Sequence, residues 1–141
     1  MSIKWTEWVP IMRFDHQKSP KKSGVYELRY ASNGTAIPLS RVFGTDNKGL
    51  LYIGNTRKRT LRKRLKELKE AVAENRHVRH TVRKTYWDYR FCDAFPREKL
   101  ELRYAPCKDA EGEETKILLE YLMKFKDKPP MNLTFSRKWT R

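Results

Sequence analysis

The stretch at residues 50–67, LLYIGNTRKRTLRKRLKE, decides the fold that we expect for this chain. Its first four residues are apolar or aromatic, which favours a short buried strand that ends at Gly54. A basic turn follows, in which Thr60 is a candidate N-cap for a helix. From Leu61 onward, leucines recur three or four residues apart among basic residues, which predicts an amphipathic helix. Such a strand and helix can bring a tyrosine and an arginine to one phosphate group.

The residues before this stretch are typical of antiparallel strands. Apolar and polar residues alternate over residues 25–31, which predicts one strand, and residues 37–43 predict a second. Short turns connect them to the strand at residues 50–53, so we expect a three-stranded antiparallel meander. Residues 1–19 contain several aromatic side chains in no regular pattern, and we expect an N-terminal arm that packs these side chains on the core.

The second half of the chain is predicted to alternate between helices and strands. Apolar periodicity predicts helices at residues 61–74 and 113–126, and β-favouring runs predict strands at residues 86–91 and 100–105. We therefore expect an α+β fold, with a small, mostly antiparallel sheet flanked by helices. The expected division is a single domain at residues 20–135 after the arm, followed by a basic tail at residues 136–141.

The charge of the chain indicates a polyanionic partner. There are 32 Lys and Arg residues against 17 Asp and Glu residues, which gives a net charge of +15. For one small domain this excess goes beyond what solubility requires, so nucleic acid and an anionic membrane surface are the candidates. The basic residues are spread through a globular pattern rather than along one amphipathic helix, which favours nucleic acid. No apolar run approaches the roughly 18 to 20 residues that span a bilayer.

The two cysteines, Cys92 and Cys107, lie in segments that resemble strands. Their spacing does not match a metal-binding finger, so we expect buried free thiols. Free thiols suit a reducing compartment, and we expect the protein in the cytoplasm or associated with the nucleoid.

Three groups of residues resemble the GIY-YIG nuclease family. The tripeptides at residues 24–26 (GVY) and 52–54 (YIG) resemble the paired motif that names the family. The sequence LRKRL at residues 61–65 resembles the helix after the second motif and aligns Arg64 with the family's arginine. Glu120 lies nine residues before Pro129 and twelve before Asn132, which resembles the family's late helix. The resemblance covers residues 24–132.

This resemblance implies a metal-dependent endonuclease that hydrolyses DNA phosphodiester bonds, with RNA as a further possible substrate. It assigns Tyr26 and Tyr52 to the scissile phosphate, where one of them helps to deprotonate water. It assigns Arg64 to the phosphoryl transition state, and a planar guanidinium can donate two fixed hydrogen bonds to phosphate oxygens. A tyrosine can act as a base only where nearby cations lower its pKa from about 10.

The resemblance also assigns the metal and the supporting residues. Glu120 is expected to bind one Mg²⁺ (or Mn²⁺), which accepts a single protein carboxylate together with substrate phosphate. Asn132 is expected to support the site, although it could also simply close a turn. Gly24 and Gly54 are expected to shape the pocket, and they could be strand-end glycines with positive φ.

Several positions depart from the family pattern. The turn before the first helix is longer than usual, which keeps Arg62 as a rival to Arg64. Position 55 is Asn55, where many members have lysine or serine. Position 68 is Leu68, where many members have tyrosine or histidine as a candidate general base. His80, which lies in a later segment, could serve as the general base instead.

Basic residues around the motif are expected to bind the nucleic-acid backbone. One site per chain means that cutting both strands requires a dimer or two successive nicks. The alternative function is a catalytically weakened or inactive nucleic-acid-binding domain of the same fold, and Leu68 is the residue that favours it. The expected phosphate-binding residues are Arg57, Lys58, Arg59, Arg62, Lys63, Arg79 and Arg83.

Overall fold

The computed structural model describes residues 3–73 and 80–133. An antiparallel sheet lies at its centre with helices packed on it, which confirms the expected α+β class. In chain order the strands are β1 (Val9–Pro10), β2 (Gly24–Ser32), β3 (Thr35–Ala36), β4 (Leu39–Arg41), β5 (Gly44–Asp46), β6 (Leu50–Asn55) and β7 (Leu100–Pro106). The α-helices are α1 (Leu61–Ala73), α2 (Thr81–Arg83), α3 (Phe91–Ala94) and α4 (Ala110–Phe125).

Strand β2 is the centre of the sheet. It pairs in antiparallel fashion with β6 on one side and β7 on the other, and β1 extends the sheet beyond β7. The short strand β3 pairs with the far end of β2. The register places Tyr26 of β2 directly opposite Gly54 of β6. The two motif tripeptides therefore lie side by side at one end of the sheet.

The predicted three-stranded meander is wrong in its middle strand. Because β2 pairs directly with β6, no strand lies between them, and β4 instead forms a separate hairpin with β5. The buried carboxylate of Asp46 holds this hairpin to α4, since it accepts hydrogen bonds from the Leu50 backbone N–H and the Tyr121 hydroxyl. The side chain of Arg41 strengthens the attachment by donating to the Lys128 carbonyl oxygen.

Helices α1 and α4 cover opposite faces of the sheet. Apolar and aromatic residues of β2 and β6 pack in one cluster with α1, whose three leucines are completely buried there. Full burial of a leucine side chain contributes about 1.5–3 kcal/mol, so this face supplies much of the core. Leu68 belongs to this set, and core packing accounts for an apolar residue at that position. The buried residues of α4 pack on the other face and include Leu118, Tyr121 and Phe125.

The strand expected at residues 86–91 is wrong, because this segment is helical. A π-helical turn at Lys84–Asp88 follows α2, and Arg90 in the left-handed region (φ 64°) separates this turn from α3. The Trp87 indole N–H donates a 2.7 Å hydrogen bond to the Ala71 carbonyl oxygen at the end of α1. Packing against α1 therefore overrides the strand-like alternation of the local sequence.

The N-terminal arm lies against β7. Strand β1 pairs with β7, and the Arg103 guanidinium lies 4.3 Å from the ring centre of Trp5 and 4.6 Å from that of Trp8. The two indoles thereby cover an ion pair between Arg103 and the buried Glu27. These contacts join the arm to the sheet through its aromatic side chains.

Both cysteines are half-buried free thiols. Cys92 lies in α3 and Cys107 follows β7, so the expectation that they lie in strands is wrong. Within residues 3–73 and 80–133, no helix has the length and apolar character needed to cross a bilayer.

Candidate active site

A polar cleft of about 980 Å³ opens at the end of the sheet where β6 finishes. Its walls come from the loop after β6, from α1, from α2 with the π-helical turn, and from the start of α4. Cations outnumber acids among the described residues that line it, so the cleft suits a polyanion. The cationic residues are Arg57, Lys58, Arg59, Arg64, Arg83, Lys84 and Lys108, and the acidic residues are Asp109, Glu111 and Glu114.

The two motif glycines permit close approach of the chain and are not positive-φ residues. A Cβ atom at Gly54 would lie 2.5 Å from Cζ of Tyr26, so the tyrosine ring occupies the space that a side chain would need. A Cβ atom at Gly24 would lie 2.4 Å from the Ala105 carbonyl oxygen. The expectation of positive φ at these positions is therefore wrong, while their role in shaping the site has a steric basis.

Thr56 joins the two motifs at the floor of the cleft. Its hydroxyl accepts a 3.1 Å hydrogen bond from the Gly24 backbone N–H, and its own N–H donates to the Gly24 carbonyl oxygen. Because Thr56 is completely buried, these bonds fix the start of β2 against the end of β6. The loop after β6 therefore begins at a fixed position of the backbone.

Tyr26 lies behind the cleft, whereas Tyr52 lines it. The Tyr26 side chain is 0% exposed, and burial raises its pKa well above the ordinary value, with Tyr52 adding to the rise and Arg64 opposing it. Tyr52 is 9% exposed, and its hydroxyl is 3.2 Å from the Thr81 hydroxyl. Burial raises the pKa of Tyr52 as well, while Thr81 and Arg64 oppose the rise. Tyr52 is thus the motif tyrosine that can meet a molecule in the cleft.

His80 is oriented as a hydrogen-bond donor to Tyr26. The Val82 backbone N–H donates to His80 Nδ1 at 3.1 Å, so a neutral ring carries its proton on Nε2. That Nε2 atom is 2.8 Å from the Tyr26 hydroxyl oxygen. Burial lowers the pKa of His80 well below its ordinary value, and the nearby Arg64 and Arg59 lower it further. The ring is therefore neutral at pH 7, and its Nε2–H donates to Tyr26.

Arg64 and Arg62 point to different places. Arg64 lines the cleft, and its nearby charge opposes the rise in the pKa of the Tyr26 hydroxyl. It also shares the Glu67 carboxylate with Arg59, at 3.0 Å and 2.7 Å respectively. The Arg62 guanidinium instead donates to the Ser19 carbonyl oxygen outside the cleft. The geometry therefore favours Arg64 rather than Arg62 as the arginine that contacts the phosphate.

The structure does not bring Glu120 to the cleft. Glu120 is exposed on α4, and Glu114 is the helix carboxylate that lines the cleft. The two residues point about 120° apart around the helix axis, because each residue advances the helix by about 100°. Glu114 lies instead on the face of Leu118, one turn further along, which packs on the sheet.

The environment of Glu114 combines burial with two polar neighbours. Burial raises the pKa of its carboxyl group, while the nearby Asn55 side chain and the charge of Arg57 oppose that rise. Within the described residues, no group of three or more His, Cys, Asp and Glu side chains is placed to hold a metal ion. A single carboxylate nevertheless fits Mg²⁺, which keeps several waters and uses substrate phosphate as a further ligand.

Asn132 contacts the strand that carries Tyr52 and does not line the cleft. Its side-chain amide donates to the Ile53 carbonyl oxygen and accepts from the Ile53 N–H, both at 2.9 Å. Asn132 is 7% exposed, so this bidentate contact is part of the core. It supports the site by holding β6 in position.

Four of the expected phosphate-binding residues line the cleft, namely Arg57, Lys58, Arg59 and Arg83. Arg62 and Lys63 lie outside the cleft, and Lys63 is exposed to solvent. Arg79 and the basic tail lie outside the described residues. The sequence interpretation missed Lys108 and Glu114. Glu114 had a signal, because it precedes Leu118 by one helical turn and therefore shares the apolar face.

Comparison of the chain with protein-family models, with curated proteins and with solved structures finds no significant match.

Proposed function

We propose that this protein is a metal-dependent endonuclease that hydrolyses DNA phosphodiester bonds, with a GIY-YIG type of site. The observation that carries the proposal is a cationic cleft that contains one partly buried helix carboxylate, Glu114, beside Tyr52 and Arg64. These groups suit phosphodiester hydrolysis, since cations bind the substrate and stabilise developing charge, and a carboxylate can hold a metal ion.

Binding begins with the phosphates of the backbone. The loop after β6 presents Arg57, Lys58 and Arg59 on one wall, and Lys108 stands on the wall formed by the start of α4. Cations on two walls can contact successive phosphates of one strand, and this contact is independent of base sequence. The binding energy therefore falls with rising salt concentration.

Arg64 is the residue that stabilises charge on the phosphate in this proposal. Its guanidinium is held by the Glu67 carboxylate at 3.0 Å before any substrate arrives. A fixed donor loses little freedom when the negative charge develops, so its stabilising effect is concentrated on the transition state. Nearby, His80 donates to the Tyr26 hydroxyl oxygen.

Tyr52 is the residue proposed to accept the proton of the attacking water. It reaches the cleft, whereas Tyr26 is enclosed behind Arg64 and His80. Burial raises the pKa of Tyr52 overall, so only a small ionised fraction of Tyr52 acts as the base at neutral pH; Arg64 and Arg57 favour that charged form, and a bound cation would favour it further. His80 does not serve as the base in this proposal, since its Nδ1 accepts from the backbone and its Nε2 donates to Tyr26.

Glu114 is the residue that would hold Mg²⁺ or Mn²⁺, together with phosphate oxygens and water. The metal supplies Lewis-acid stabilisation of the phosphate and of the leaving oxygen. We place the enzyme in the cytoplasm or at the nucleoid, because both of its cysteines are free thiols. One such cleft cuts one strand and leaves a nick, so double-strand cutting takes two chains or two successive events.

The experiment that tests this proposal compares two identical substitutions on one helix. Glu114→Gln removes the cleft carboxylate, and Glu120→Gln removes an exposed one with the same change of charge. In a supercoiled-plasmid assay with Mg²⁺, Glu114→Gln should lower nicking by about 10²-fold or more, whereas Glu120→Gln should leave it within about twofold. DNA affinity in EDTA should stay similar for all three proteins. Full activity in the Glu114 variant, or Mg²⁺-independent nicking, would overturn the assignment.

A second candidate is a nucleic-acid-binding domain without catalysis. The observation that favours it is the enclosure of Tyr26, which is 0% exposed and whose hydroxyl is bonded to His80. This candidate predicts salt-sensitive DNA binding without Mg²⁺-dependent nicking in the same plasmid assay.

A further inference from the structure

Glu67 on α1 holds two of the arginines that line the cleft. Its Oε1 atom accepts hydrogen bonds from Arg59 Nη1 at 2.7 Å and from Arg64 Nη1 at 3.0 Å, and its Oε2 atom accepts from Arg59 Nη1 at 2.7 Å. Glu67 itself does not line the cleft, so it contacts both arginines from outside it. One carboxylate therefore keeps two guanidinium groups side by side, and we call Arg59 and Arg64 the arginine pair.

The two members of the arginine pair come from different walls of the cleft. Arg59 belongs to the loop after β6, whereas Arg64 lies on α1, one turn before Glu67. Two like charges that touch the same oxygen atom repel each other, and the negative charge of Glu67 offsets this repulsion. The Glu67 side chain is only 15% exposed, so salt screens these contacts less than it screens surface charges. The carboxylate thus fixes an arrangement that the two arginines would not adopt without it.

The arginine pair keeps donors for a substrate. A guanidinium group carries five N–H donors in a planar fork. Both hydrogen bonds from Arg59 to Glu67 use Nη1, so Nη2 and Nε of Arg59 stay outside this contact. The Arg59 side chain is 32% exposed, and these groups can therefore meet a molecule in the cleft. Two N–H groups on one edge of a guanidinium match the oxygens of a phosphate.

We propose that Arg59 is a second catalytic arginine, which binds the same scissile phosphate as Arg64, and that Glu67 is the positioning residue that aligns the two. The inference rests on the proposed function, in which Arg59 is otherwise one of several cations that contact the DNA backbone. Two fixed guanidinium groups on one phosphate stabilise the negative charge that develops on its oxygens as water attacks. Loss of their alignment should therefore lower kcat and leave KM nearly unchanged.

Glu67→Gln and the matched control Glu70→Gln test the positioning role. Each removes one negative charge from α1, so the general attraction for DNA rises equally in both variants. Glu70 is exposed and lies outside the cleft. A glutamine in place of Glu67 has one acceptor oxygen, and its NH₂ group would face a donor of the arginine pair.

The measurement is Mg²⁺-dependent nicking of supercoiled plasmid over a range of DNA concentrations. We expect Glu67→Gln to lower kcat about tenfold and to keep KM within about twofold of the wild-type value. Glu70→Gln should keep both constants within about twofold. Because the two variants carry the same net charge, a difference in kcat between them cannot come from charge alone.

Arg59→Lys tests the catalytic role of Arg59. Lysine keeps the positive charge but presents it as a point charge rather than a planar fork. Attraction of the DNA backbone needs only the charge, whereas the proposed contact with the scissile phosphate needs the fork. We therefore expect kcat to fall about tenfold, with KM within about threefold of the wild type. The double variant Arg59→Lys, Glu67→Gln should lose clearly less than the product of the two single effects, because both substitutions disrupt the same arginine pair.

Different results overturn different claims. Wild-type kcat in the Glu67→Gln protein would overturn the positioning role, and wild-type kcat in the Arg59→Lys protein would overturn the catalytic role of Arg59. Either result leaves the proposed function standing. Thermal unfolding measures the folded fraction of each variant, and a fall in kcat that only follows this fraction would reduce Glu67 to a support of the fold. An absence of Mg²⁺-dependent nicking by the wild type would overturn the proposed function together with this inference.

Discussion

Gly54→Ala tests the steric relation between the two motifs. The added methyl carbon would lie 2.5 Å from Cζ and 2.6 Å from the hydroxyl oxygen of Tyr26. Carbon atoms in normal contact are about 3.5–4.0 Å apart, so the ring has to move by about 1 Å or more. The ring has no open space to enter, because Tyr26 is 0% exposed and its hydroxyl is bonded to His80.

The expected cost follows from these contacts. Overpacking of a core costs about 1–3 kcal/mol. Displacing the Tyr26 hydroxyl from His80 costs about another 0.5–1.5 kcal/mol. The loss of glycine flexibility in a strand offsets about 0.5–1 kcal/mol of this. We therefore expect the free energy of unfolding to fall by about 0.5–4 kcal/mol, or roughly 2–16 °C in the melting temperature of a domain of this size.

Urea denaturation of four proteins measures this effect: the wild type, Gly54→Ala, Tyr26→Leu and the double variant. Leucine lacks the outer ring atoms that meet the new methyl group. The losses of stability caused by Gly54→Ala and by Tyr26→Leu should therefore not add in the double variant. We expect a coupling free energy of about 1 kcal/mol or more. Purely additive effects, or a Gly54→Ala protein within about 0.5 kcal/mol of the wild type, would refute the steric reasoning.

The other predictions concern catalysis and binding. If Tyr52 is the base, its raised pKa means that the rate should rise about tenfold per pH unit from pH 6 to 9. The lowered pKa of His80 predicts no inflection near pH 6.5 in the same profile, and a plateau above pH 7 would point to a different base. Arg64→Ala should lower kcat by about 10²-fold or more, whereas Arg62→Ala, which loses a contact outside the cleft, should stay within a few-fold. Lys108→Ala should reduce the slope of log affinity against log salt by about 0.9, measured by fluorescence anisotropy, and an unchanged slope would remove Lys108 from the phosphate contacts.

The elements with strong periodicity were predictable from the sequence. Helix α1 follows the spacing of its leucines, and β2 follows its alternation, because one face of each element is buried in a single core. The segment at residues 86–91 alternates in a similar way but is helical, since Trp87 is anchored to the end of α1. A contact between segments that are far apart in the chain leaves no local pattern.

Part of the cleft was predictable from the sequence, because some of its residues lie on elements with a regular pattern. Tyr52 and Arg64 lie near each other in sequence, and the elements that carry them have a clear register. The choice of Glu120 relied on its spacing from Pro129, which does not fix the face of a helix. Glu114 shares the buried face with Leu118, and it reaches the cleft only because α4 crosses beside the end of β6. That crossing is a property of the packed fold.

The segment after α4 closes the outer edge of β6. The Met131 N–H donates to the Leu51 carbonyl oxygen, and Asn132 bonds to both backbone groups of Ile53. In the part of the chain that the structure describes, β2 is the one strand that pairs with β6. An uncovered edge is a template for strand addition by another chain, which leads to aggregation or sheet extension. The chain therefore protects the strand that carries Tyr52 with its own later residues, and two copies cannot join their sheets along this edge.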